Sequence, residues 1–236
     1  MSKLRVAVDA GGTFTDVCIY HEDTQQFRVT KVPSTPSNPK QAVIDGVRRG
    51  EIDLSDVELF FHGTTVATNA PITRRFPKAA LVTTKGFRDV IEIRDGTKDN
   101  LWDAYEDVSG PYIRRRDRFE VTERVDYAGE VVTPLDEEEA RILARKLKRR
   151  GATTVAVCFI NSYANAENEK RMREILEEEI PEASVSTSSD ILPEIFEHDR
   201  FNTAVANTVL GPLVSDYVKQ LDDELSAGDY DNDLLL

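Results

Sequence analysis

The chain has 236 residues, of which 40% are hydrophobic, 31% charged and 8% aromatic. This balance excludes a disordered tail, a collagen-like repeat and a disulfide mini-protein. With 30 Lys and Arg against 43 Asp and Glu, the net charge is −13, which argues against nucleic-acid or anionic-membrane binding, since both need a basic face. Any phosphate must therefore be held by local backbone N–H groups or through a metal ion. Cys18 and Cys158 both sit in apolar stretches and read as small buried hydrophobes, with neither a CxxC pair nor a Cys/His cluster nearby. No signal-peptide core and no run of roughly 18 apolar residues is present, so the expected compartment is the cytoplasm.

Leu4–Val8 is a β-branched run that ends at Asp9. Ala10-Gly11-Gly12-Thr13 follows, then a second apolar run, Val17–Tyr20, so the two read as a hairpin. Phe27–Val32 is a third strand. A helix starts near Asn38, with Pro39 in its first turn, and runs to Arg49. Val57–Phe61 is a short strand leading into His62-Gly63-Thr64-Thr65, and Ala79–Thr83 is the next. Residues 86–118 are irregular and carry Trp102, which with Tyr105 reads as core or interface, and the basic run Arg114-Arg115-Arg116, which reads as solvated.

Phe119–Asp126 and Glu130–Thr133 predict a hairpin turning near Ala128-Gly129. Asp136–Arg150 predicts a helix capped by Asp136, acidic in its first turn and basic in its last. The strand Thr153–Ile160, the helix Asn165–Glu179 and the strand Ala183–Thr187 give an α/β alternation. A long helix is expected over His198–Leu225, bent near Gly211-Pro212. Leu234-Leu235-Leu236 reads as the beginning of a strand, which suggests a fragment, a split gene product or a cut chain.

Asp9-Ala10-Gly11-Gly12-Thr13-Phe14-Thr15-Asp16 carries the strongest chemical signal. Glycines let a backbone approach phosphate closely, and successive N–H groups in such a turn form an anion-binding nest. Gly11, Gly12, Thr13 and Thr15 are therefore the candidate phosphate cradle. Asp9, at a strand end, is placed to hold a hydrated Mg²⁺. An ordinary Gly-Gly turn is the plainer alternative, and Asp16 could equally cap the turn. The second signal is His62-Gly63-Thr64-Thr65-Val66-Ala67-Thr68-Asn69, a strand end before a helix N-terminus, where anions bind readily. From spacing alone the plainer reading leads: Thr64 or Thr65 caps the helix and His62 packs at the strand end.

The first motif is neither a P-loop nor a Rossmann fingerprint. It resembles the phosphate hairpin of the actin, sugar kinase and heat-shock chaperone superfamily. VDAGGTFTDV followed by HGTTVATNA resembles the hydantoinase A and 5-oxoprolinase family, which includes ATP-dependent ketone carboxylase subunits. Arg118-Phe119-Glu120-Val121, Gly129-Glu130-Val131, Val155–Phe159 with Ser162-Tyr163, Ser188–Ile195 and Gly211-Pro212-Leu213 extend the resemblance along the whole chain. Pro71 and Phe76-Pro77 interrupt the helix that family members carry after Asn69.

The resemblance implies a partial actin-like α/β ATPase lobe. Residues 1–75 would form the phosphate hairpin and the first part of the lobe. Residues 76–190 would be an inserted α/β subregion, and residues 191–236 a helix returning to the lobe. It also implies an enzyme part that uses ATP and Mg²⁺ to phosphorylate a lactam or ketone oxygen, for hydrolysis or carboxylation. Asp9 would hold the metal, and His62 would act catalytically with Thr64 and Thr65 on the substrate side. A hydantoinase B-type subunit or domain would be the partner in a hetero-oligomer, with neither nucleic acid nor membrane involved. Residues 100–105 and 111–116 lean toward the ketone carboxylase branch. The alternatives are a non-catalytic assembly or regulatory subunit, and a small-molecule kinase sharing only the hairpin.

Overall fold

The computed structural model of the chain describes residues 3–35, 38–96, 98, 100–106 and 108–236. Two compact units divide it: Met1–Thr73 with Leu213–Leu236, and Arg74–Pro212. The first unit begins with β1 (Leu4–Ala10), whose even residues are buried and whose odd residues are exposed. This period of two puts one face of the strand on a core. β1 pairs antiparallel with β2 (Phe14–His21), and β2 with β3 (Gln26–Pro33).

The helix α1 (Pro39–Arg49) follows, with Pro39 in its first turn and Arg48 and Arg49 in its last. Ala42, Val43 and Val47 are its buried stripe. It lies close on β2 because Gly46 has no side chain: an added Cβ would stand 2.5 Å from Val17 Cγ2. The chain returns as β4 (Val57–Thr64), parallel to β1. It turns at once into α2 (Val66–Thr73), which contains Pro71 and ends before Phe76-Pro77.

The second unit is built on β5 (Ala79–Thr84), followed by α3 (Val90–Ile93), β6 (Arg118–Val121), the two-stranded β7 (Arg124–Val125) and β8 (Val131–Thr133), α4 (Glu137–Arg150), β9 (Thr154–Cys158), α5 (Glu167–Glu179), β10 (Ser184–Thr187) and α6 (Ser188–Ile191). Its main sheet has the order β10-β9-β5-β6 and is parallel throughout. Every residue of β9 is buried, as expected for a strand covered on both faces. Leu143 and Leu147 of α4 pack with Met172 and Ile175 of α5 over Val82, Val155 and Val157. On the opposite face Leu81, Ala156 and Cys158 meet Ile91, Phe201 and Val205.

The sequence reading of α4 holds in detail. Asp136 accepts the Glu139 N–H at 3.0 Å, acidic residues fill the first turn, basic residues the last, and Gly151 ends the helix in the left-handed region at φ 68°. Phe119–Asp126 is not one strand of a hairpin. The ladder stops at Thr122, whose N–H goes to Glu139 Oε2 at 2.8 Å and whose carbonyl accepts from Asp136 N–H at 2.9 Å. With its backbone groups taken by the α4 N-terminus, β6 stays beside β5 and only β7 pairs with β8. Trp102 and Tyr105 are not core residues; both are almost fully exposed.

The long helix α7 (Glu197–Ser226) runs through Pro212, and the division between the units falls at that proline. Its later residues Tyr217, Leu221 and Leu225 pack with Val6, Val8 and Phe60 in the first unit. Tyr230 then ties the chain to β4: its hydroxyl accepts the Phe60 N–H at 3.1 Å and donates to Asp233 O at 2.9 Å. β11 (Leu234–Leu235) continues from there, parallel to β4, and completes the order β11-β4-β1-β2-β3. An antiparallel meander flanked by parallel strands is what an actin-like lobe predicts. Among the described residues no helix is long and apolar enough to cross a membrane.

Candidate functional site

The candidate site lies where β1 and β4 end side by side. Asp9 is opposite Asp16 on the antiparallel side and opposite Gly63 on the parallel side. Residues paired across neighbouring strands share a face, so both carboxylates stand on the face away from α1. A groove of about 340 Å³ follows this face, lined by Ala7, Asp9, Asp16, Cys18, Phe61 and Gly63. Asp16 is neutralised by Lys31 at 3.2 Å, and Lys31 also lies 5.3 Å above the Phe14 ring. Among the described residues Asp9 has no salt bridge. Gly63 keeps space beside it: an added Cβ would come within 3.3 Å of Asp9 Oδ1.

The turn beyond Asp9 is closed by Gly11 N–H to Phe14 O at 3.1 Å. Gly12 and Thr13 are exposed at its tip. Gly12 is not in the left-handed region, and an added Cβ there would meet nothing within 4 Å. Neither backbone conformation nor internal packing therefore requires a glycine at 12. A cradle that must accept a close anion does require one, so the residues present fit a phosphate beside a carboxylate-held cation.

Thr15 does not belong to that cradle through its side chain. It pairs with buried Ala10, is itself fully buried, and its hydroxyl sits 2.9 Å from Ser34 Oγ. Ser34 N–H in turn donates to Thr13 O at 2.9 Å. Thr15 and Ser34 thus brace the hairpin from the core side.

His62 borders the groove, but its side chain is buried on the core side. It pairs with buried Val8, is 3% exposed, and its Nε2 lies 2.6 Å from the Tyr217 hydroxyl. Burial pulls its pKa below the ordinary imidazole value, opposed in part by a backbone hydrogen bond with Val8 and then by the charge on Asp9. Burial also pushes the Tyr217 phenol upward. The pair is thus a neutral contact pinning the end of β4 to α7. The His62 ring, expected to act catalytically, is thus occupied by Tyr217.

Thr64 Oγ1 accepts the Val66 N–H at 3.3 Å, as the plainer reading expects of a helix start. Thr65 Oγ1 makes a long contact, 3.5 Å, to Ala10 O and accepts from Asn69 Nδ2 at 3.1 Å. The second motif is therefore stitched to the first at the base of α2. Residues that the sequence reading missed are Ser34, Tyr217, Lys31 and the pairing of Asp16 with Asp9. That pairing had a signal, because Asp9 and Asp16 are equally spaced from a turn centred between Gly12 and Thr13.

With this geometry in place, the chain matches the model of the hydantoinase/oxoprolinase N-terminal region over residues 5–180. The chain belongs to the hydantoinase/oxoprolinase family. It is 41% identical over 94% of its length to an uncharacterized protein of Methanocaldococcus jannaschii, of which it covers 33%. It is 31% identical to the caprolactamase subunit alpha of Pseudomonas jessenii, with 94% of this chain and 34% of that protein aligned. It is likewise 31% identical to the acetophenone carboxylase gamma subunit of Aromatoleum aromaticum, over 98% of this chain and 34% of that one.

The crystal structure of the ATP-dependent caprolactamase superposes with a TM-score of 0.89 at 28% identity, over 98% of this chain and 35% of that chain. The fold is therefore that of a partial actin-like lobe within this family. The chain spans about a third of the length of these relatives.

Proposed function

We propose that this chain is the phosphate-binding part of an ATP-dependent family enzyme that phosphorylates a lactam or ketone oxygen, for hydrolysis or carboxylation. The observation that carries the reading is the salt-bridge-free Asp9, set between Gly63 and the side-chain-free turn at Gly12. Bound MgATP would supply the phosphoryl group, which turns a poor leaving group into a good one or traps an enol. Gly11 closes the turn through its own N–H to Phe14 O, and the N–H groups of Gly12 and Thr13, with the Thr13 hydroxyl, would hold phosphate oxygens. Asp9 would hold the magnesium ion, while Lys31 keeps Asp16 from adding a second uncompensated charge. Thr15 and Ser34 fix the hairpin. His62 and Tyr217 fix β4, and Thr64 and Thr65 fix the start of α2 beside the turn, where substrate would lie.

Two of these relatives are named as subunits, the alpha subunit of caprolactamase and the gamma subunit of acetophenone carboxylase, and a hydantoinase B-type subunit or domain is the partner we assign. Caprolactamase and acetophenone carboxylase are equally similar to this chain, so lactam and ketone are both retained as substrate classes. The test is an ATPase screen against lactams and ketones, using the chain in its complete enzyme with the partner subunit. Substrate-stimulated, Mg²⁺-dependent hydrolysis that Asp9→Asn removes is expected. No stimulation by any member of either class would favour a non-catalytic assembly subunit instead.

A further inference from the structure

The parallel sheet of the second unit has a feature that the nucleotide site does not use. From β5 the chain goes to β6 on one side, and later enters β9 on the other. The boundary between β5 and β9 is therefore the topological switch point, and open parallel sheets bind ligands in the crevice outside their strand carboxyl ends at that point. A cavity of about 550 Å³ lies there. Gly86 and Phe87, just after β5, and Ile160, just after β9, line it with Val90, Ile93 and Phe196.

The polar groups lining it are Asp89, Arg94 and Asp95 and, from the first turn of α7, Glu197 and His198. Asp95, His198 and Asp199 each offer one ligand atom, and these atoms lie within 4.8 Å of one another. Asn202, one helical turn on, places its side-chain amide 2.9 and 3.0 Å from the two His198 ring nitrogens.

We propose that this crevice is a second ligand site, in which Asp95, His198 and Asp199 hold a divalent transition-metal ion of the zinc or manganese type. One imidazole and two carboxylates suit those ions, and the two carboxylate charges balance the cation. Three protein ligands leave coordination positions open. The apolar lining of the crevice gives those positions a place to receive an oxygen donor on a small apolar molecule.

The test is calorimetric titration of the chelator-treated 236-residue chain with Zn²⁺ and with Mn²⁺. About one ion per chain is expected, with melting temperature rising as metal is added. Asp95→Asn and His198→Gln should each weaken binding at least about tenfold and leave the circular dichroism unchanged, whereas Glu182→Gln, an exposed carboxylate outside the crevice lining, should bind as the parent does. Absence of saturable binding to either ion overturns the proposal. So does binding that persists unchanged in His198→Gln, or that is lost in Glu182→Gln, which would place the ion outside the crevice.

Discussion

Asp9 and Asp16 face each other across β1 and β2, and Lys31 compensates Asp16 at 3.2 Å. Like charges directly opposite in a sheet destabilise it by about 0.2–1 kcal/mol. Lys31 offsets part of that cost from within the fold, and a cation bound at Asp9 would offset the rest.

Asp9→Asn separates a metal ligand from a turn residue. Removing the charge relieves the opposition to Asp16, so melting temperature should hold or rise slightly. In the complete enzyme, Mg²⁺-dependent turnover should fall by two or more orders of magnitude, about 3 kcal/mol of transition-state stabilisation. A turn residue satisfying local N–H groups would show the reverse: a loss of about 1 kcal/mol in stability with turnover little changed. Both quantities are measured on the same preparation.

Two glycines provide a matched pair for the phosphate cradle. Nothing lies within 4 Å of a Cβ at Gly12, whereas a Cβ at Gly46 would stand 2.5 Å from Val17 Cγ2. Gly12→Val should therefore leave denaturant stability within about 0.5 kcal/mol of the parent and abolish nucleotide binding. Gly46→Val should cost about 1–3 kcal/mol through overpacking. A Gly12→Val protein that still binds nucleotide would remove the turn from the site.

How much of this was legible follows from where the information lies. The hairpin, α1, β4 and α4 are written locally, in alternation, in Pro39, in Asp136 and in Gly151. The face on which a strand residue stands is not local. Thr15 and His62 share the core face because they pair with Ala10 and Val8, and that parity is fixed only once the register between strands is known. The motif residues were found, but two of their side chains point the other way. The end of β6 was hidden for a similar reason: the acceptor for Thr122 N–H is Glu139, on a helix that starts 15 residues later in the chain. Tyr217 stands 155 residues from His62, beyond any spacing rule.

Glu169 is the polar hub of the second unit. It is fully buried and accepts from Phe159 N–H at 2.7 Å, the Ser188 hydroxyl at 2.6 Å and Ser189 N–H at 2.9 Å. Glu169→Ala strands the Phe159 and Ser189 N–H groups, while the Ser188 hydroxyl keeps Ser162 Oγ at 3.1 Å. Each buried unsatisfied group costs about 1–3 kcal/mol, so the substitution should destabilise by about 2 kcal/mol or more in denaturant titration. A loss below about 1 kcal/mol would mean that the donors find other partners.

The last prediction concerns His62 and the acid limb of stability. Burial lowers its folded-state pKa below the unfolded value of 6.5. Below that value the unfolded chain binds the proton more readily than the folded one, so this residue makes stability rise with pH and fall as pH drops below 6.5. Glu123 works in the opposite sense: burial raises its pKa, so the folded state keeps its proton longer and stability from this group is lost as pH rises. The two must be separated by difference. Stability of the parent minus that of His62→Phe, measured by urea titration from pH 5 to 8, should grow more favourable to the parent as pH rises toward neutrality and then level off. Tyr217→Phe should cost about 1–3 kcal/mol near pH 7, because it leaves a buried ring nitrogen unpartnered, and it should retain the acid slope, since the imidazole stays buried. A parent-minus-His62→Phe difference that is flat across this range would mean that His62 is hydrated in the folded protein and free to serve the groove after all.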